Sequence, residues 1–195
     1  MLVPRRIDLD QRREHLAHAV WTIIRERGIG AVSVRVVAAE AGVAVGSLRH
    51  VFPTRTELLQ FSAELMLSRA TGRIRSTPLT GDVVADALSL LRHVLPLEPE
   101  SRAELEVNLA LIAEAPAVPE LAPIRDQTYQ QLMFLCEGIV QMLAPERDPA
   151  IRTEEARRLY ALVDGLALHL LMEPADSDGE WTLRILRGEI ARIGA

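Results

Sequence analysis

The nine residues Ala44 to Phe52, Ala-Val-Gly-Ser-Leu-Arg-His-Val-Phe, put two kinds of chemistry on opposite sides of one short helix. At 100° per residue, Leu48, Val51 and Phe52 fall on one side, Gly46 and His50 lie opposite, and Ser47 and Arg49 sit on the flanks. The apolar side must pack on other helices. The open side offers a hydroxyl, a guanidinium and an imidazole, groups suited to phosphate oxygens and to base edges in a major groove about 12 Å wide. Gly46, near the start, lets the backbone come close to them. Other reactive residues are less usefully arranged. His15 and His18 are three apart on the preceding helix with no His-Glu-x-x-His following, short of the ligands a metal needs. The single Cys136 can form neither an internal disulfide nor a cysteine cluster for zinc, and its apolar stripe disfavours the thiolate. His93 and His169 have no partner visible in the sequence, and without any Lys a Gly-x-x-x-x-Gly-Lys phosphate loop is excluded. No catalytic set, metal site or cofactor is expected, so a helical-bundle enzyme is the weaker reading.

Charge points the same way as the short helix. The chain of 195 residues carries 22 basic groups, all Arg, against 27 acids. Residues 1–56 hold nine Arg against Asp8, Asp10, Glu14, Glu26 and Glu40, whereas residues 57–195 hold thirteen against twenty-two acids. A basic head on an acidic body is expected where one end meets a polyanion and the other does not. With 49% hydrophobic and 25% charged residues, the composition is that of a soluble globular protein and excludes fibrous, collagenous and disordered classes. The longest apolar run, Leu159 to Met172, is broken by Asp164 and is too short to cross about 30 Å of hydrocarbon. No signal stretch precedes the first helix, so no membrane partner and a cytoplasmic location are expected.

Elements that could hold the short helix in place follow from apolar residues at three and four spacing in almost every window, with few strand signals. The expected fold is all-α, with about nine helices. Thr54 with Glu57 and Asp8 with Gln11 are capping boxes, and Ser33 is an N-cap for the stretch that follows it. Ala44 cannot cap, so the helix it precedes must be held by packing. A helix ending at Gly28, a second from Ser33 to Ala41, and a third after Gly42-Val43-Ala44 follow the plan of a helix-turn-helix.

These residues resemble the amino-terminal pattern of the TetR/AcrR family of bacterial transcriptional repressors. The counterparts stand in order: Leu16, Ala19, Val20, Ile23, Ile24, Glu26 and Gly28; then Ser33, Val37, Ala38, Ala41, Gly42 and Val43; then Gly46, Ser47, Leu48, His50 and Phe52; then Arg55, Glu57, Leu58 and Leu59. The match spans about 55 residues at fixed spacing. The sequence departs from the family at Ala44, where Ser or Thr is usual, and at Arg49, where Tyr is usual. Arg49 either clamps a phosphate or reads a guanine through its O6 and N7 acceptors.

The resemblance implies a helix-turn-helix DNA-binding domain over residues 1–53 and a ligand-binding and dimerisation domain over 54–195. It places DNA contacts on Arg35, Val45, Gly46, Ser47, His50 and Arg55. Thr54 and the amides after it could receive a phosphate, and Arg5 and Arg6 could reach the minor groove or backbone from ahead of the first helix. Solvated surface roles for Arg35 and Arg55, and simple packing for His50, are the alternatives. The implied mechanism is a homodimer with recognition helices about 34 to 36 Å apart on a palindromic operator in double-stranded DNA. A small-molecule effector favouring the other spacing would release it. A helix-turn-helix serving only protein interaction, without an operator, is the alternative.

In the body, a few polar residues lie inside apolar stripes, as a small-ligand pocket requires. Asn108 is near Leu105, Leu109 and Ile112, while Arg125, Thr128 and Tyr129 share a side with Leu132, Cys136, Ile139 and Leu143. Arg125 in a pocket would favour an anion, although it could equally snorkel at a helix end, and Asn108 could bond to a neighbouring backbone. The helix from about Thr153 to Glu173 is apolar nearly all round, so it must meet its own core and something else. Leu159, Leu162, Val163, Leu166 and Leu170, with Trp181, Leu186 and Ile190 of the last helix, are the expected four-helix dimer interface.

Overall fold

The computed structural model describes the backbone of residues 4–195 and the side chains from Leu9 onward. Among these residues there are nine α-helices and no strand, as the periodicity requires. They are α1 (Pro4–Arg27), α2 (Val34–Glu40), α3 (Val45–Val51), α4 (Arg55–Ser76), α5 (Val83–Arg92), α6 (Pro99–Glu114), α7 (Ala122–Leu143), α8 (Pro149–Leu171) and α9 (Glu180–Gly194). Single 3-10 turns precede α2 and α7, at Ile29–Ala31 and Pro119–Leu121.

Helix ends follow the local chemistry, with two corrections. Ser33 Oγ accepts from the Val36 amide at 3.2 Å, and Thr54 Oγ1 accepts from the Glu57 amide at 3.1 Å, so both expected caps form. No side chain caps α3, whose N-cap is Ala44. The turn from α2 into α3 depends on Gly42 at φ 65°, a left-handed conformation costly for other residues. The first helix begins at Pro4, upstream of the expected Asp8 box. Proline suits a first helical turn because its missing N–H would have had no helical partner. Arg5 and Arg6 therefore fall within α1 rather than ahead of it, and their side chains lie outside the described residues. Helix α8 also starts early, because Asp148 Oδ1 caps the Ala150 amide at 2.8 Å and Pro149 occupies the first turn.

Packing divides the chain into two compact units, each made of two stretches of sequence. The first takes the chain up to Arg69 together with Ala103–Arg125, and the second takes Ala70–Arg102 with Asp126–Ala195. This division differs from the expected functional boundary at residue 53. The core of the first unit joins Leu16, Val20 and Ile23 of α1, Val37 of α2, Leu48 of α3 and Leu58 and Leu59 of α4 to Val107 and Leu111 of α6. Burying each such side chain contributes about 1.5 to 3 kcal/mol, which is how the uncapped α3 is held. In the second unit α9 packs against α5 and α8, and Leu159, Val163, Leu166, Leu186 and Ile190 are buried.

Candidate nucleic-acid interface

Packing decides which side of α3 remains available. Leu48 and Phe52 are almost fully buried, while Val45, Gly46, Arg49 and His50 are exposed and Ser47 is half-buried. A methyl group at Gly46 would meet nothing within 4 Å, so no neighbour within the chain requires glycine there. Ser47 Oγ accepts from the Arg12 guanidinium of α1, which brings a cation missed in the sequence to the polar flank of α3. Only the tertiary crossing of α1 over α3 brings them together. The next arginine, Arg13, has a different environment: its guanidinium lies over the rings of Phe52 and Phe61, at 5.4 and 4.7 Å.

The remaining expected contacts are unequal. Arg35 is exposed and lines a shallow cleft with Arg27, Val36, Ala39 and Glu40. Thr54 is exposed, but its hydroxyl donates to Glu57 Oε1 at 3.1 Å while accepting the Glu57 amide. Arg55 has an internal role. Its Nε and Nη2 donate to the carbonyls of Val32 and Ile29 at 2.9 and 3.0 Å, and Nη2 lies 3.5 Å from Glu114. It therefore braces the turn before α2 against the start of α4 and the end of α6. A second ion pair, Arg25 with Glu106 at 2.5 Å, joins α1 to α6.

The histidines of α1 are occupied by structural contacts. His15 Nε2 is 3.0 Å from the Ala41 carbonyl. His18 meets the Trp21 ring edge-on at 4.7 Å, and burial, with the nearby Arg69 charge, lowers its pKa. Among the described residues, no group of three or more His, Cys, Asp or Glu could hold a metal.

The expected pocket residues belong to both units. In the first, Asn108 is half-buried with its Oδ1 enclosed and without a hydrogen-bond partner, and Arg125 is exposed. In the second, Thr128 is half-buried, Tyr129 is half-exposed, and Cys136 is fully buried. Burial, with the charges of Asp164 and Glu137, pushes the Cys136 thiol up to about 12. Two further residues adjoin this group. Tyr160 of α8 packs its ring 5.0 Å from that of Tyr129, and its hydroxyl is hydrogen-bonded to Asp164 one turn on. The sequence spacing of Tyr160 and Asp164 was visible, but not that Tyr129 of α7 would meet the Tyr160 ring.

The expected dimer interface needs correction. Leu159, Val163, Leu166, Leu170, Leu186 and Ile190 are at most 4% exposed in the single chain, so they form its own core rather than a face for a second copy. Leu162 and Trp181 are half-buried, and Trp181 Nε1 donates to Glu173 at 2.8 Å. Left exposed are Ala161 and Leu168 on α8, with Gly165 half-buried between them and Met172 just past the helix end, and Ile185, Gly188 and Ala191 on α9.

Comparison with known proteins agrees with this layout. Residues 18–60 match a family model described as bacterial regulatory proteins, tetR family, and residues 84–195 match one described as BetI-type transcriptional repressor, C-terminal. The HTH-type transcriptional regulator PksA of Bacillus subtilis (strain 168) is 32% identical, over 98% of this chain and 94% of its own length. The HTH-type nicotine-responsive transcriptional repressor HdnoR of Paenarthrobacter nicotinovorans is 24% identical, over 88% of this chain and 89% of its own. A crystal structure of a transcriptional regulator from Rhodococcus sp. Rha1 superposes with a TM-score of 0.80 at 28% identity, covering 93% of this chain and 95% of the other.

Proposed function

Because this chain belongs to the TetR family of transcriptional regulators, we propose that it is a repressor that binds a palindromic operator as a homodimer and leaves it when a small molecule binds. The open polar flank of α3 carries this reading: Val45, Gly46, Ser47, Arg49 and His50 face away from the core, with Arg12 beside Ser47. An α-helix so presented fits a major groove, and the arginines supply the backbone attraction that dominates affinity. Arg35, Thr54 and Arg55, with Arg5 and Arg6, remain the outlying contact candidates. In this reading residues 1–53 carry DNA recognition and residues 54–195 carry ligand binding and dimerisation.

The open sides of α8 and α9 suit a second copy, since Gly165, Gly188, Ala161 and Ala191 allow close approach and Leu168, Met172 and Ile185 supply apolar area. Response to a small molecule is supported by the nicotine-responsive relative, and the candidate ligand residues are considered by unit, Asn108 and Arg125 in the first and Thr128, Tyr129 and Cys136 in the second. No described helix is long and apolar enough to cross a membrane, which fits a cytoplasmic site of action.

Fluorescence anisotropy with palindromic fragments from around its own gene tests the proposal, alongside light scattering for mass. Expected are a dimer and an affinity that falls steeply with salt, with a log-log slope of about −0.9 per neutralised phosphate. Salt-insensitive or absent binding would leave the helix-turn-helix as a protein-interaction module.

A further inference from the structure

The polar flank of α3 holds one bond whose direction is fixed by chemistry. A guanidinium carries N–H donors and no acceptor, so in the contact between Arg12 of α1 and Ser47 of α3 the arginine donates and Ser47 Oγ accepts. A hydroxyl has one proton and two lone pairs, and it turns to suit its partners. Elsewhere in the chain, helical hydroxyls spend that proton on their own helix: Thr22 on the His18 carbonyl at 3.2 Å, Ser62 on that of Leu59 at 2.8 Å, and Thr153 on that of Pro149 at 3.0 Å. Among the described residues, the one hydrogen bond of the Ser47 side chain is the one it accepts, so its O–H is left for an acceptor outside the chain. Gly46 adds a second observation. A methyl built there would meet nothing within 4 Å, although Gly is a poorer helix residue than Ala. No neighbour within the chain calls for glycine, whereas a surface arriving from outside does, because the missing side chain lets it lie close to the helix backbone. Val45, Arg49 and His50 are exposed around it, on the same open side.

Arg12 then decides what Ser47 can read. Its positive charge behind the oxygen draws on the lone pairs, strengthens the O–H as a donor, and repels the partly positive amino hydrogens of adenine and cytosine. In the major groove the acceptors are guanine N7 and O6, adenine N7 and thymine O4, while the donors are the amino groups of adenine N6 and cytosine N4. A side chain as short as serine reaches those edges only where its helix sits deep, which is what Gly46 permits. We propose that Arg12 is a positioning residue that fixes Ser47 as a hydrogen-bond donor to a base-edge acceptor, so that the two residues set the operator preference at one base pair in each half-site. This deepens, and rests on, the reading of the chain as an operator-binding dimer.

Selection by the full chain from a randomised palindromic pool gives the operator, and anisotropy at fixed salt then compares variants on each base pair at every position. Ser47→Ala should flatten the preference at one position by about threefold to tenfold per half-site, the worth of one hydrogen bond. Arg12→Ala should flatten the same position, and adding it to Ser47→Ala should change that preference no further. Arg12→Lys, also a donor without an acceptor, should keep more of the preference than Arg12→Ala. At that base pair, deleting the acceptor that is read should cost the parent a similar factor and Ser47→Ala almost nothing; 7-deazapurines remove N7, 2-aminopurine removes guanine O6, and 5-methylpyrimidin-2-one removes thymine O4. Deleting the amino group, with purine for adenine or pyrimidin-2-one for cytosine, should leave the preference in place. Circular dichroism of each variant must match the parent. Ala is the better helix former at position 47, and Arg12→Gln, which also removes the charge, serves if Arg12→Ala fails to fold. An even loss on all sequences in Arg12→Ala, with the preference kept and the salt slope smaller by about 0.9, would overturn the proposal and make Arg12 a phosphate contact. So would a Ser47→Ala profile unchanged at every position, or a loss confined to deletion of the amino group. DNA selected without any of these single-position changes leaves the repressor and removes the role of Arg12, whereas no sequence selected at any salt removes the operator reading and this role with it.

Discussion

Replacing Arg55 separates a structural brace from a DNA contact. Its guanidinium makes two hydrogen bonds to backbone carbonyls, Val32 at 2.9 Å and Ile29 at 3.0 Å, and an ion pair with Glu114 at 3.5 Å. Hydrogen bonds to charged groups contribute about 1.5 to 3 kcal/mol each when sheltered. The Arg55 side chain is 31% exposed, so water recovers part of that on its removal. Taking about 1 kcal/mol for each carbonyl bond and at most a few tenths for the exposed ion pair gives a loss of about 2 kcal/mol for Arg55→Ala. Arg55→Lys should lose roughly half as much, because an ammonium has no planar fork to reach both carbonyls. Urea denaturation followed by Trp21, buried in the same unit, in a Trp181→Phe background isolates the response. The midpoint should fall without a change in slope. An unchanged midpoint with a large loss of operator affinity would refute the brace and make Arg55 a phosphate ligand.

Gly179→Ala should cost about 1 to 3 kcal/mol, measured as a lowered melting temperature. Gly179 has φ 62°, and its added methyl would run into Leu97 Cδ2; an unchanged melt would contradict that geometry. Asp86 accepts from the Thr80 amide and hydroxyl, both at 2.8 Å, and from the Gly81 amide at 3.0 Å, and these bonds hold its pKa below the ordinary value. Because the folded pKa is depressed, the stabilisation is complete above the unfolded value of about 3.9 and is lost as pH falls through the folded one. Asp86→Asn should flatten that part of the acid unfolding curve, and an identical curve would show that the carboxylate is not responsible. Cys136, buried and with its thiol pushed up to about 12, should resist a thiol reagent at pH 8 until urea unfolds the chain. Rapid labelling of the folded protein would be inconsistent with its placement.

The head was legible because its periodicity had one solution. Leu16, Leu48, Phe52 and Leu58 stand at spacings that give a single apolar face per helix, and all are buried. Helix α8 had no such privileged face. Apolar residues surround it, so spacing alone allowed either stripe to point inward, and packing against α9 selected the one containing Leu159, Val163 and Leu166. The Tyr129–Tyr160 pairing was hidden for another reason. Two residues on different helices become neighbours only through the tertiary path, and neither ring has a local signature of its partner. The start of α8 was misread because Pro149 signals both the end of a loop and the opening of a helix, and Asp148 resolves the ambiguity only when its cap is seen.

The participation of α6 in the core of the first unit has a practical consequence for protein engineering. A chimaera cut at residue 53 would carry away Leu48 and Phe52 while leaving behind Leu58, Leu59, Val107 and Leu111, the side chains that share their core. The reading head is thus not a transplantable cassette. Grafting it onto another sensor would require importing the distant stretch around α6 as well, or redesigning the recipient's greasy surface to stand in for it.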